Sequence, residues 1–232
     1  MKRILITGAN RGLGLELARH YLQLGAEHVF ATARTPEKAD ELHMMGQDFP
    51  ARLTVLPLEV TNAEHISAAA EAVSAAVDGL DVLINNAAIN PPRPEQSLQN
   101  ITAALLRETL DINVVAPLMI VQAFLPLLRQ GNAPRIANIS SQMGSFALSN
   151  PGSYAYRSSK AALNMLSHVL ANDVREVITV TMHPGWVQTD MGGSGASLTA
   201  PEAAAAVIQV IERLTPADSG KFLKWNGEIH PW

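Results

Sequence analysis

Residues 3–14 read Arg3-Ile4-Leu5-Ile6-Thr7-Gly8-Ala9-Asn10-Arg11-Gly12-Leu13-Gly14, and this stretch decides the fold. A short apolar run ends at Ile6, glycines follow at 8, 12 and 14, and an amphipathic segment opens at Gly12. Glycines let the backbone turn tightly and approach a pyrophosphate, whose charge is stabilised by amides at a helix N-terminus. Gly-rich turns also serve plain packing. Here the strand before and the helix after single out a dinucleotide-binding turn. The spacing is Gly-x-x-x-Gly-x-Gly, and no Lys-Ser/Thr follows, which excludes a nucleotide-triphosphate loop.

Outward from this turn, apolar runs of four to eight residues end at Ala33, Leu58, Ile84, Ile139 and Met182. Runs of that kind read as strands buried on both faces of a parallel sheet. Amphipathic segments alternate with them over 12–24, 36–45, 62–78, 102–129, 153–173 and 201–214, the last opened by Pro201 and Glu202. Such alternation predicts an α/β fold of Rossmann type, a doubly wound parallel sheet of about seven strands with helices on both faces. Pro91, Pro92 and Pro94 read as a surface loop, and no linker or repeat interrupts the chain, so residues 1–232 are expected to form one domain.

The composition narrows the functions. Among 232 residues 47% are hydrophobic and 16% charged, enough for a sizeable core. A formal charge of -4 gives no basic footprint, so nucleic acid is not an expected partner. There is no cysteine, which excludes disulfides and thiolate chemistry and is compatible with a reducing cytoplasm, the expected location. The apolar run after Lys2 and Arg3 stops at Thr7, too soon for a signal peptide, and no window is expected to span a membrane. The seven histidines show no paired metal-ligand spacing, so no metal is expected.

The second strand should end beside the adenosine ribose, where an NAD enzyme places a carboxylate. Ala33 and Arg34 stand there instead, and Arg11 can approach from the glycine turn. Two arginines can clamp a 2′-phosphate, which points to NADP(H). Further along, Tyr156 and Lys160 are four apart and share a helix face. A lysine ammonium there lowers the phenol's pKa from about 10, letting it give a proton to a carbonyl oxygen as hydride arrives at carbon.

With these motifs in order, the whole chain resembles the classical short-chain dehydrogenase/reductase family. Thr7 to Gly14 is similar to its coenzyme motif and Asn85-Asn86-Ala87-Ala88 to its Asn-Asn-Ala-Gly segment. Asn113, Ser141, Tyr156 and Lys160 match its catalytic tetrad, and Pro184-Gly185 through Thr189 its nicotinamide loop. The resemblance implies that Ser141 holds the substrate carbonyl and Tyr156 donates the proton. Lys160 would tune Tyr156 and bind the nicotinamide ribose, and Asn113 would hold a water of a proton relay. It also implies coenzyme contacts from Gly8, Asn10, Arg11, Gly12, Leu13, Gly14 and Arg34, then from Glu59 and Val60 at adenine, Asn86 and Ala87, and Pro184, Gly185, Val187 and Thr189.

Two departures stand out. Ala88 replaces the usual glycine, and the serine–tyrosine separation is two residues longer than usual, which would select Tyr154. Tyr154 has Ser158 four residues on rather than lysine, so Tyr156 is chosen. The segment 183–193 and the ending Trp225 to Trp232 resemble the C-factor branch of the family, itself similar to sniffer-type carbonyl reductases. That branch suggests an alternative role as a developmental or intercellular signal. Only Gly192 to Thr199 separates the nicotinamide loop from the next helix, so an open pocket walled by Met143, Phe146 and Trp186 is expected, taking small carbonyl or alcohol substrates. The apolar faces of 102–130 and 153–173 suggest a homodimer or homotetramer.

Overall fold

The computed structural model describes residues 2–232. Seven strands form one parallel sheet: β1 (Arg3–Ile6), β2 (His28–Ala33), β3 (Leu53–Pro57), β4 (Val82–Asn85), β5 (Arg135–Ile139), β6 (Ile178–His183) and, at the far edge, β9 (Phe222–Lys224). Their order is β3-β2-β1-β4-β5-β6-β9. The direction of winding reverses between β1 and β4, where Ile4, Leu5 and Ile6 pair with Val82, Leu83 and Ile84. In open α/β sheets the crevice at such a switch point, outside the strands' carboxyl ends, is where ligands bind. β7 (Val187–Gln188) and β8 (Leu198–Thr199) form a separate two-stranded ladder beyond β6.

Alternation along β1 splits the core, because successive strand residues point to opposite faces. Ile4 and Ile6 face α1 (Gly12–Gln23) and α7 (Ala200–Arg213), packing with Leu17, Leu22, Val207 and Ile211. Leu5 faces α3 (Ala63–Ala76) and α5 (Ala116–Arg129), packing with Phe30, Val73, Ile120 and Phe124. Each such fully buried side chain contributes about 1.5–3 kcal/mol relative to exposure. Helix starts follow local chemistry. The Asn62 side chain accepts from the Glu64 and His65 amides at 2.9 and 3.2 Å to begin α3. Thr199 and Glu202 form a reciprocal capping box at α7.

Two segments differ from expectation. The segment expected as one helix over 36–45 is a single 3₁₀ turn, Pro36–Lys38, followed by α2 (Asp40–Asp48). The long helix over 102–129 is α4 (Ala103–Leu110), a π turn at Asp111–Val115 and α5. That continuous stretch, Ala103–Arg129, is also long and apolar enough to cross a membrane by length and composition, containing an 18-residue window of mean hydropathy 1.7, contrary to the expectation of no such window. Its residues Ile120, Val121, Phe124 and Leu128 are buried in the core. Residues 192–199 form no helix, as their Gly and Ser content predicts.

Candidate active site

Every strand from β1 to β6 delivers residues to one cleft of about 680 Å³ at the carboxyl edge of the sheet. Every site residue expected from the sequence lines it, except Asn113 and Phe146.

The floor is the glycine turn. Gly8 and Gly12 take φ of +64° and +55°, the left-handed region that favours glycine. A Cβ on Gly14 would overlap the Gly8 carbonyl oxygen and stand 2.5 Å from Asn86 Nδ2. A second tie joins this turn to the end of β4. Thr7 Oγ1 accepts from the Asn86 and Ala87 amides at 3.0 Å each, while Asn86 Nδ2 donates to the Thr7 and Gly8 carbonyls at 2.9 and 3.0 Å. Thr7 thus belongs to the site's framework, a role the motif alone did not reveal. Ala88 lines the cleft in the glycine's usual place.

The expected arginine pair is present but engaged elsewhere. Arg11 Nη1 lies 2.6 Å from Asp190 Oδ2, and Arg34 Nη1 lies 3.6 Å from Glu59 Oε2. Both guanidiniums are exposed, so such ion pairs contribute little, typically about 0–1 kcal/mol, and exchange readily for another anion. Glu59, expected at adenine, therefore faces Arg34, and its hydroxyl neighbour Thr61 donates to it at 3.3 Å.

At the other end of the cleft Ser141 follows β5, and Tyr156 and Lys160 project from α6 (Tyr154–Asp173). Burial separates the two tyrosines: Tyr156 is 7% exposed and lines the cleft, whereas Tyr154 is 44% exposed and does not. Lys160 Nζ donates to the Ile139 carbonyl at 2.8 Å and stands 5.6 Å from the centre of the Tyr156 ring. Close backbone approach makes this possible, for a Cβ on Gly144 would lie 2.7 Å from the Lys160 carbonyl carbon. Ser140, which the sequence reading passed over, ties β5 to α6 by donating to Asn164 Oδ1 at 2.7 Å.

The electrostatics correct one expectation. Lysine was expected to depress the tyrosine pKa; instead burial pushes Tyr156 up to about 12, against a smaller downward pull from the Ser141 hydroxyl. Burial also pushes Lys160 down to about 7. Burial disfavours the charged form of each group.

Asn113 lies beside the cleft rather than on its lining. Its Nδ2 donates to the Ile89 carbonyl at 2.8 Å and to Ser159 Oγ at 3.0 Å, and its Oδ1 accepts from the Ile89 amide at 2.9 Å. Both N–H donors are used within the protein, so the side chain fixes the loop after β4 against α6. It sits in the π turn, an irregularity that recurs at functional sites. Phe146, expected as pocket wall, is 78% exposed and outside the cleft, because its 3₁₀ turn, Gln142–Gly144, aims Met143 inward and releases the chain to the surface. Met143 and Trp186 do line the cleft, and Met191 joins them with its sulfur 4.0 Å from the Tyr156 hydroxyl. Among the described residues no group of three or more His, Asp or Glu side chains could hold a metal ion.

A glycine turn at the switch point, with a serine, a tyrosine and a lysine across the same cleft, defines an oxidoreductase of the dinucleotide-binding α/β class. The chain belongs to the short-chain dehydrogenase family, whose model, described as short chain dehydrogenase, matches residues 2–197. It is 44% identical over 156 residues to the C-signal of Myxococcus xanthus, a match spanning 66% of this chain and 93% of that protein. Among solved structures it is similar to the NADPH-bound carbonyl reductase from chicken fatty liver, with 39% identity and a TM-score of 0.94, covering 100% of this chain and 99% of that one. It is likewise similar to the carbonyl reductase Sniffer of D. melanogaster, with 34% identity and a TM-score of 0.95 over the whole of both chains.

Proposed function

We propose that the chain is an NADPH-dependent carbonyl reductase that converts aldehydes or ketones to alcohols. The observation that carries this reading is the convergence of Ser141, Tyr156 and Lys160 at one end of a cleft whose other end is a glycine cradle. A dinucleotide fits the residues present, because Gly8, Gly12 and Gly14 line the cleft with no side chain standing between their backbone and a pyrophosphate. Arg11 and Arg34 would hold the 2′-phosphate by exchanging their present carboxylates for it. Thr189 and the Val187 backbone would hold the nicotinamide end. When bound, the coenzyme supplies the hydride.

The protein's own residues then handle the oxygen. Ser141 orients the substrate carbonyl and stabilises the alkoxide that develops on it. Tyr156, held protonated by its dry surroundings, gives its proton to that oxygen. Lys160, fixed by the Ile139 carbonyl, would contact the nicotinamide ribose from beside the phenol. Trp186, Met143 and Met191 offer apolar walls and few polar groups, which favours broad acceptance of hydrophobic carbonyl compounds, since apolar contacts discriminate by only about 1–3 kcal/mol per methylene-sized difference.

The likeness to the C-signal supports a second reading, a signal protein whose dinucleotide binding serves signalling. A signalling role by itself leaves the buried Tyr156–Lys160 pair without a use. NADPH and NADH consumption against a panel of aldehydes and ketones tests the proposal. Turnover of several unrelated hydrophobic carbonyls with NADPH favoured is expected. Arg34→Ala should weaken NADPH by about tenfold to a hundredfold, the worth of a charged hydrogen bond, and spare NADH. No turnover of any carbonyl by protein that binds NADPH would favour the signalling reading.

A further inference from the structure

Helix α6 carries Tyr156 and Lys160, yet its start has no local cap. Ser153 holds the capping position with φ of +54°, and its side chain accepts no hydrogen bond from the helix. The first amides of a helix have no intrahelical partner, and one left unpaired in a buried place is destabilising. The missing acceptors come from 60 positions away, in the proline-rich segment after β4. Gln96 Oε1 accepts from the Tyr156 amide at 2.8 Å, and the Gln96 carbonyl accepts from the Tyr154 amide at 3.2 Å.

Gln96 is itself held rigidly. It is fully buried, and its side-chain amide donates to Asn90 Oδ1 at 3.0 Å and to the Pro91 carbonyl. The other end of the same segment is fixed where Asn113 takes both the amide and the carbonyl of Ile89 and reaches Ser159 on α6. Segment and helix are therefore one body, bolted at Gln96 to the backbone nitrogen of Tyr156.

We propose that Gln96 is a positioning residue for Tyr156, setting the height of the first turn of α6 so that the hydroxyl meets Ser141 and the substrate carbonyl. This rests on the reading of Tyr156 as proton donor. Tyr156 lies in the turn that would fray without the cap, and a misplacement of about 1 Å at a reacting group costs up to roughly a hundredfold in rate.

The test uses the full chain carrying Gln96→Met, which matches the length and removes the acceptor. The rate is expressed per NADPH-binding site, so that loss of folded protein does not enter. The expected result is a fall in kcat of about tenfold to a hundredfold, with KM and NADPH affinity unchanged, because only the transition state depends on where the proton sits. Gln96→Glu keeps the acceptor, and once protonated it also restores a donor toward Pro91, so its kcat relative to the unmodified protein should recover as pH falls. An unchanged kcat per site in Gln96→Met overturns the proposal, as does an equal loss in both variants at every pH. If Gln96→Met binds no NADPH, the pH-dependent recovery of Gln96→Glu alone decides. An unmodified protein without turnover would instead defeat the reductase reading. Positioning is then read from the ultraviolet titration of Tyr156, with Tyr156→Phe as the blank: Gln96→Met should shift it, and an unshifted titration counts against Gln96.

Discussion

At the scale of single residues the site turns on which tyrosine gives the proton. Tyr156 lines the cleft beside Ser141 and Lys160, and Tyr154, two residues earlier in α6, is half-exposed and outside it. Tyr156→Phe should reduce kcat by at least about a hundredfold, the usual worth of a positioned acid, while NADPH still quenches or shifts protein fluorescence with unchanged affinity. Tyr154→Phe should be nearly silent. The reverse order, measured by steady-state rates on both variants, would show the motif to be misplaced by two. This choice was legible from spacing alone, since only Tyr156 has a lysine four residues on. The state of the pair was not legible. Whether a lysine depresses a phenol or both are driven neutral depends on how dry the pocket is, and dryness is set by residues from several strands.

At the scale of elements, the glycine turn and α6 were plain from local pattern, and the breaks and bolts between them were not. Gly14 offers the sharpest test. Gly14→Ala would press a methyl against the Gly8 carbonyl and Asn86 Nδ2, both backbone-anchored, so the turn must open. Overpacking of this kind typically costs about 1–3 kcal/mol, and here it also distorts the cradle. Both the thermal midpoint and NADPH affinity should fall, by calorimetry and fluorescence titration; a variant that binds NADPH normally would refute the cradle. The π turn at Asp111–Val115 had no sequence signal, because Asp-Ile-Asn-Val-Val continues the helical pattern and only the pull of Asn113 on Ile89 and Ser159 explains the wider turn. The prolines at 91, 92 and 94 read correctly as a loop, but not as a loop that caps the catalytic helix. Phe146 was misjudged for a related reason, since proximity in sequence to Ser141 does not say which way a 3₁₀ turn releases the chain.

At the scale of the whole molecule, the end of β6 meets the C-terminal segment at a buried histidine. His183 closes β6 with its ring 5.6 Å from that of His230 in the C-terminal segment, and its Nδ1 is buried with no partner. Burial, with His230 and Lys224 nearby, pushes it down to about 4. Between about 6.5, its unfolded value, and 4 the unfolded chain takes up a proton that the folded one refuses, so stability falls as pH falls through that window, by up to about 1.4 kcal/mol per unit. His28, also lowered by burial, adds to the same slope. Urea midpoints between pH 7 and 5 should therefore decline, and His183→Asn should flatten the decline; an unaltered slope would mean that His183 is not held neutral.

The sequence by itself determined the alternation of strands and helices, the glycine turn and the Tyr156–Lys160 pair. Each of these is written in local spacing, in periods of 2 and 3.6 residues and in the conformational freedom of glycine. Only the tertiary structure decided the protonation of that pair, the carboxylates now facing Arg11 and Arg34, the duties of Asn113 and the cap that Gln96 places on α6. These depend on burial and on contacts between residues 24 to 179 positions apart, which no local pattern encodes.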